Sequence, residues 1–89
     1  MEVRRAVTCG THASSDVFID LRPAEELIIE LDSPLIQQYG EHIEKIIKEI
    51  LQAKGIDRGH LRVLDHGALD CTIKARLETA IERSADDGL

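Results

Sequence analysis

The sequence predicts an α+β domain: a two-layer sandwich in which a mixed sheet of three or four strands carries two helices on one face. Three observations predict it. Residues 16–22 and 27–32 alternate apolar and polar side chains with the period of two expected of half-buried strands. Residues 36–51 and 69–81 instead space their apolar residues by three and four, as amphipathic helices do. The order strand, long helix, strand favours a right-handed parallel crossover, which lays the helix against one face of the sheet.

Residues 3–9 read as a short first strand, although Arg4 and Arg5 disturb its alternation. The run Gly10-Thr11-His12-Ala13-Ser14-Ser15-Asp16 follows. Its glycine reaches backbone angles closed to other residues, and its short polar side chains hydrogen-bond locally, so it reads as an exposed turn. Val17, Ile19 and Leu21 then face the core from a clear strand, with Asp16, Phe18, Asp20 and Arg22 on the other side. After the interruption at Pro23, the alternation resumes with Leu27, Ile29 and Leu31 facing inward, and the two runs read as an antiparallel hairpin. Phe18 and Ile28 fall on the otherwise polar face, as isolated exposed apolar residues often do.

Ser33 and Pro34 have the order of a helix start, a side-chain cap followed by a proline at the first helical position. The helix carries Ile36, Tyr39, Ile43, Ile46, Ile47, Ile50 and Leu51 as one stripe and stops at Gly55 after Lys54. Gly40 inside it costs about 1 kcal/mol relative to alanine. His60 to Asp65 reads as a further strand with Leu61 and Val63 inward. A second helix follows, with Leu69, Ile73, Leu77, Ala80 and Ile81 on its inner stripe, and residues 84–89 form a polar tail. Residues 1–89 thus make a single domain, with no repeats or low-complexity tracts.

An 89-residue chain has room for one modest core, burying roughly 60–65% of its unfolded surface, and little room for a deep active site. The formal charge of −6, from 17 acidic and 11 basic residues, argues against nucleic acid and anionic membranes as partners. No stretch approaches the length of an apolar membrane span, and the arginines near the start precede no long apolar run, so a cytoplasmic protein is expected. Cys9 and Cys71 lack the spacing of a zinc or redox pair and read as reduced, partly buried packing residues.

His12, His42, His60 and His66 are not at ligand spacing with one another or with the cysteines, so no metal site is expected. Cys71 with His66 would need an orienting third group and a pocket to act as a nucleophile. Asp65 and Asp70 bracket Gly67 and read as helix capping and first-turn charge. Asp16 and Asp20 share one face of a strand and read as solvated carboxylates. Ser14 and Ser15 lack a nucleophile-elbow motif but are small, flanked by Gly10 and Ala13, and set beside the expected rigid hairpin. Either hydroxyl suits an acceptor of covalent modification, and an ordinary serine-rich turn is the plainer alternative.

The block Cys9-Gly10-Thr11-His12-Ala13-Ser14-Ser15-Asp16-Val17 and the later block Asp65-His66-Gly67-Ala68-Leu69-Asp70-Cys71, with Ala75-Arg76-Leu77-Glu78 beyond it, resemble the acyl carrier protein, or gamma chain, of citrate lyase. The resemblance covers essentially the whole chain. It implies a carrier that does no bond chemistry itself, and it makes residues 1–89 one acyl-carrier domain with residues 10–16 as the acceptor turn. It implies that Ser14 carries a phosphoribosyl-dephospho-coenzyme A arm through a phosphodiester, with Ser15 a minor rival. The arm's thiol then holds acetyl and citryl thioesters as citrate is cleaved to oxaloacetate and acetate in citrate fermentation. The implied partners are the alpha (transferase) and beta (lyase) subunits, a prosthetic-group transferase and an acetylating ligase. Where the family commonly has Glu-Ser-Gly-Asp, this chain has Ala13-Ser14-Ser15-Asp16. The carrier of malonate decarboxylase, which uses the same type of arm, is the near alternative, and a non-enzymatic protein-interaction domain is the distant one.

Overall fold

In the computed structural model, which describes residues 1–34 and 36–85, the elements run β1 (Val7–Gly10), β2 (Val17–Arg22), β3 (Leu27–Asp32), α1 (Ile36–Ala53), β4 (Gly59–Asp65) and α2 (Asp70–Ala85). The four strands form one mixed sheet in the order β1-β2-β4-β3, so the expected α+β sandwich is the observed one.

The expected hairpin of the second and third strands does not form. β2 pairs antiparallel with β4, Ile19 opposite Val63 and Leu21 opposite Leu61, while β3 pairs parallel with β4, Ile29 opposite Leu61. Alternation reports which face a side chain takes and says nothing about which strand lies alongside. β4 buries Gly59, Leu61, Val63 and Asp65, whereas no residue of β3 is fully buried. The central place therefore goes to β4, which gains ladders on both sides, and β3 is left at an edge. The crossover β3-α1-β4 is parallel as expected.

The core is aliphatic. Val17, Ile19 and Leu21 of β2 and Leu61 and Val63 of β4 meet Ile43, Ile47, Ile50 and Leu51 of α1 and Ile73, Leu77, Ala80 and Ile81 of α2. Full burial of each large aliphatic side chain is worth roughly 1.5–3 kcal/mol against leaving it in water. Each stripe is shorter than its spacing predicts. Tyr39, in the first turn of α1, is 52% exposed, and Leu69, one residue before α2 begins, is 71% exposed. Ile36 has its side chain outside the described residues.

The ends of α1 differ from expectation at one end only. Gly55 takes φ +70 and its N–H donates to the Gln52 carbonyl, while the Ile56 N–H donates to the Leu51 carbonyl, a glycine-terminated helix end. At the start, Pro34 lies in a turn before the helix, and the buried Ser33 hydroxyl donates to Asp65 Oδ2 at 2.8 Å. Asp65 likewise does not cap α2. Its Oδ1 accepts from the N–H groups of Gly67 and Ala68, so it shapes the turn that leaves β4.

The first strand is shorter than residues 3–9, because the segment before it serves another purpose. The Arg4 and Arg5 N–H groups both donate to the Ser84 carbonyl, clasping the end of α2. Ser84 is accordingly buried within the helix and not part of a frayed tail, of which residues 86–89 lie outside the described residues. Cys9 is buried and free, but Cys71 is free and exposed, since position 71 falls on the outer side of the first turn of α2. Among the described residues no helix is long and apolar enough to cross a membrane.

Candidate functional site

The turn between β1 and β2 starts at a position only glycine can fill. Gly10 takes φ +91 opposite Phe18, and a Cβ built there would lie 1.8 Å from the Val17 carbonyl oxygen. The chain then climbs through Thr11 and His12 and turns at residues 13–16, where the Asp16 N–H donates to the Ala13 carbonyl at 3.2 Å. Ser14 is the second residue of this β-turn and Ser15 the third. Ser15, with φ +65, is the one non-glycine residue among those described to have a positive φ. A turn with φ positive at its third residue alone is of type II, which ordinarily takes glycine there.

The same two residues form a bulge against β4. The Ser15 N–H donates to the His66 carbonyl at 2.7 Å, and the His66 N–H donates to the Asp16 carbonyl at 2.9 Å. Two residues thus oppose one, with the first in the left-handed region, the pattern of the glycine-type bulge. The backbone of Ser15 is held by the sheet while Ser14 sits one residue further out on the tip. Both serines are exposed.

Asp16 fixes this arrangement from below and is not the solvated carboxylate its strand position suggested. Its Oδ2 accepts from the Thr11 hydroxyl, its Oδ1 accepts from the Val17 N–H at 2.8 Å, and Arg76 of α2 reaches both oxygens at 3.3 Å. The Thr11 hydroxyl foremost, then the Val17 amide and the Arg76 guanidinium, outweigh desolvation and hold the carboxyl down from its ordinary 3.8 to about 2. Thr11 also accepts from the Ala13 N–H at 3.2 Å, so one carboxylate organises the whole rise of the turn.

The histidines that the sequence kept apart meet here in one pair. His12 Nδ1 and His66 Nε2 lie 3.1 Å apart, 54 positions distant in the chain, so one imidazole donates to the other. The His12 ring also stacks on Phe18 with centroids 4.4 Å apart, which explains an apolar residue on the open face of the sheet. His42 and His60 go elsewhere, to Asp70 and Glu30. No group of three or more histidine, cysteine, aspartate or glutamate side chains gathers in a metal-holding cluster among the described residues. Cys71 and His66 are not joined, and Asp20 pairs with Arg22 on the surface.

Arg76 and the His12–His66 pair are the residues of this site that spacing alone did not single out. Arg76 lies 60 positions from Asp16, and its only trace in the sequence was the Ala75-Arg76-Leu77-Glu78 segment. The two blocks quoted above prove to be one structure: residues 13–16 are laid against His66, and Asp16 is bound from α2.

A family model described as the malonate decarboxylase delta subunit, an acyl carrier protein, matches residues 4–84. The citrate lyase acyl carrier protein of Treponema denticola is 39% identical over 84 residues, covering 94% of this chain and 97% of its own length. That of Halothermothrix orenii is 42% identical over 86 residues, covering 96% and 92%. That of Enterobacter sp. strain 638 is 40% identical over 88 residues, covering 98% and 91%. Among solved structures, a chain of a Pseudomonas malonate decarboxylase hetero-tetramer in complex with malonate superposes with a TM-score of 0.76 over 93% of this chain and 87% of that one, at 15% identity, and shares the fold. Matched nearly end to end by these relatives, the chain belongs to the citrate lyase acyl carrier protein family, the non-catalytic carrier subunits of multi-enzyme complexes.

Proposed function

We propose that this chain is the carrier subunit of a citrate lyase, and that Ser14 is where its prosthetic arm is attached. The observation that carries the choice of Ser14 is the left-handed backbone of Ser15. In the type II turn of residues 13–16 the third position serves to bend the chain and to bond β4, which accounts for the glycine common there in the family. The second position stands at the tip, with its backbone undistorted and its hydroxyl open to an incoming enzyme. Attachment exchanges the Ser14 O–H for an O–P bond; a polyphosphate leaving group departs from an activated form of the arm and the proton passes to a base of the modifying enzyme or to solvent.

The arm, a phosphoribosyl-dephospho-coenzyme A, would supply a thiol for acyl groups. The chain's own residues supply position. Gly10, Asp16 and Arg76 hold the turn at a set height above the sheet. A tethered acyl group then meets the transferase and lyase subunits at high effective concentration without release. The same arrangement suits the carrier of a malonate decarboxylase, a second reading favoured by the family model and by the shared fold.

The test is the intact mass of the chain isolated from its own host during growth on citrate. An added mass matching the arm, present in Ser15→Gly and absent in Ser14→Ala, is expected. An unmodified chain under those conditions overturns the carrier assignment, and an arm retained by Ser14→Ala overturns the choice of serine. Co-isolated subunits that cleave citrate, and not malonate, separate the two readings.

A further inference from the structure

We infer that the outer rim of β3 is a docking edge, which takes an extended segment of a partner subunit rich in basic residues as an added strand. The inference rests on the reading of this chain as a subunit of a larger assembly. The two edges of the sheet differ in their protection. β1 is four residues long, and α2 packs across it. β3 is six residues long, with no proline, lysine or bulge of the kind that usually guards an edge. Of its four exposed residues, two are apolar, Leu27 at 41% and Ile28 at 44% accessible, and two are acidic, Glu30 and Asp32.

The free backbone groups of this rim can be named. The Gly59 N–H donates to the Glu26 carbonyl, and Leu27 lies opposite Gly59. In a parallel ladder of that register the even-numbered residues of β3 spend their backbone groups on β4, so Leu27, Ile29 and Leu31 point theirs outward. Beside them a shallow groove runs between β3 and α1, lined by Ile29, Leu31, Glu41 and Glu44, with Gly40 leaving its floor open.

Charge selects the occupant. Glu25, Glu26, Asp32 and Glu41 surround the rim without ion-pair partners among the described residues, whereas Glu30 is engaged by His60 and Arg62, and Glu44 by Lys48. A second copy of this chain would set one acidic row against another. A partner strand with basic residues and apolar residues for the groove satisfies both the charges and the open ladder.

The test compares amide hydrogen exchange in the free chain and in the assembly purified from the host, read residue by residue after quenching. The amides of Leu27, Ile29 and Leu31 should exchange about tenfold or more slowly in the assembly. Leu27→Pro removes an N–H that bonds nothing in the sheet and should reduce recovery with the larger chains. Glu26→Gln with Asp32→Asn keeps every backbone group and should weaken recovery and its dependence on salt. Equal exchange in the free and assembled chain overturns the docking edge and leaves the carrier reading standing. A chain recovered alone removes both. Slowing that grows with the concentration of the free chain assigns the rim to a second copy and also overturns the proposal.

Discussion

The turn of residues 13–16 and the rim of β3 are both exposed, yet one is held from every side and the other is left open. At the turn, two strands and a helix converge: the Ser15 and Asp16 backbone is locked to His66, and the Asp16 side chain to Thr11, Val17 and Arg76. At the rim, three residues of β3 have no ladder on their outer side. The difference fits the two roles proposed for them. A group to be modified gains from a fixed backbone and a free hydroxyl, whereas a surface to be covered needs free backbone groups that a partner can complete.

Breaking the turn should have the largest effect. In Gly10→Ala the new methyl carbon lies 1.8 Å from the Val17 carbonyl oxygen, and the backbone there is left-handed. A loss of about 3 kcal/mol or more in urea unfolding is expected, with the β3 amides unchanged in their local exchange. Asp65→Ala comes next. It strips the Ser33 hydroxyl and the Gly67 and Ala68 amides of their buried acceptor, and about 2 kcal/mol should be lost. Because that turn carries His66, exchange at Ser15 should quicken as well.

A smaller change tests the polar anchor by pH. The Asp16 carboxyl is at about 2 in the folded chain against an ordinary 3.8. A depressed carboxyl contributes stability that is fully present above the ordinary value and is lost as the pH falls through the folded one. Asp16→Asn should therefore flatten the acid side of the stability profile between roughly pH 4 and pH 2 and leave its slope from pH 5 to 8 unchanged. The smallest effect sharpens the comparison within the turn itself. Ser15→Gly relieves a left-handed serine and should stabilise the chain by up to about 1 kcal/mol in thermal unfolding.

The strands, helices and core were legible because period two and period 3.6 are local properties. Val17, Ile19, Leu61, Ile47 and Leu77 announce their faces from their neighbours alone. The pairing of β2 with β4 was not legible, since the Pro23 break looks the same whether the chain folds straight back or leaves a gap for a later strand. At the site, Gly10 and the serines stood out by composition, and the resemblance chose Ser14. The Asp16–Arg76 and His12–His66 pairings were hidden, because each joins residues 54 to 60 positions apart. Ser15 was the ambiguous residue in the sequence, and its φ of +65 gives it a structural task.

In the proposed carrier the turn of residues 13–16 presents Ser14 and uses Ser15 to bend. Intact-mass measurement of the host-isolated chain and its two variants tests it most directly. An arm is expected on the unaltered chain and on Ser15→Gly, and none on Ser14→Ala. An arm that persists in Ser14→Ala and disappears in Ser15→Gly would contradict it.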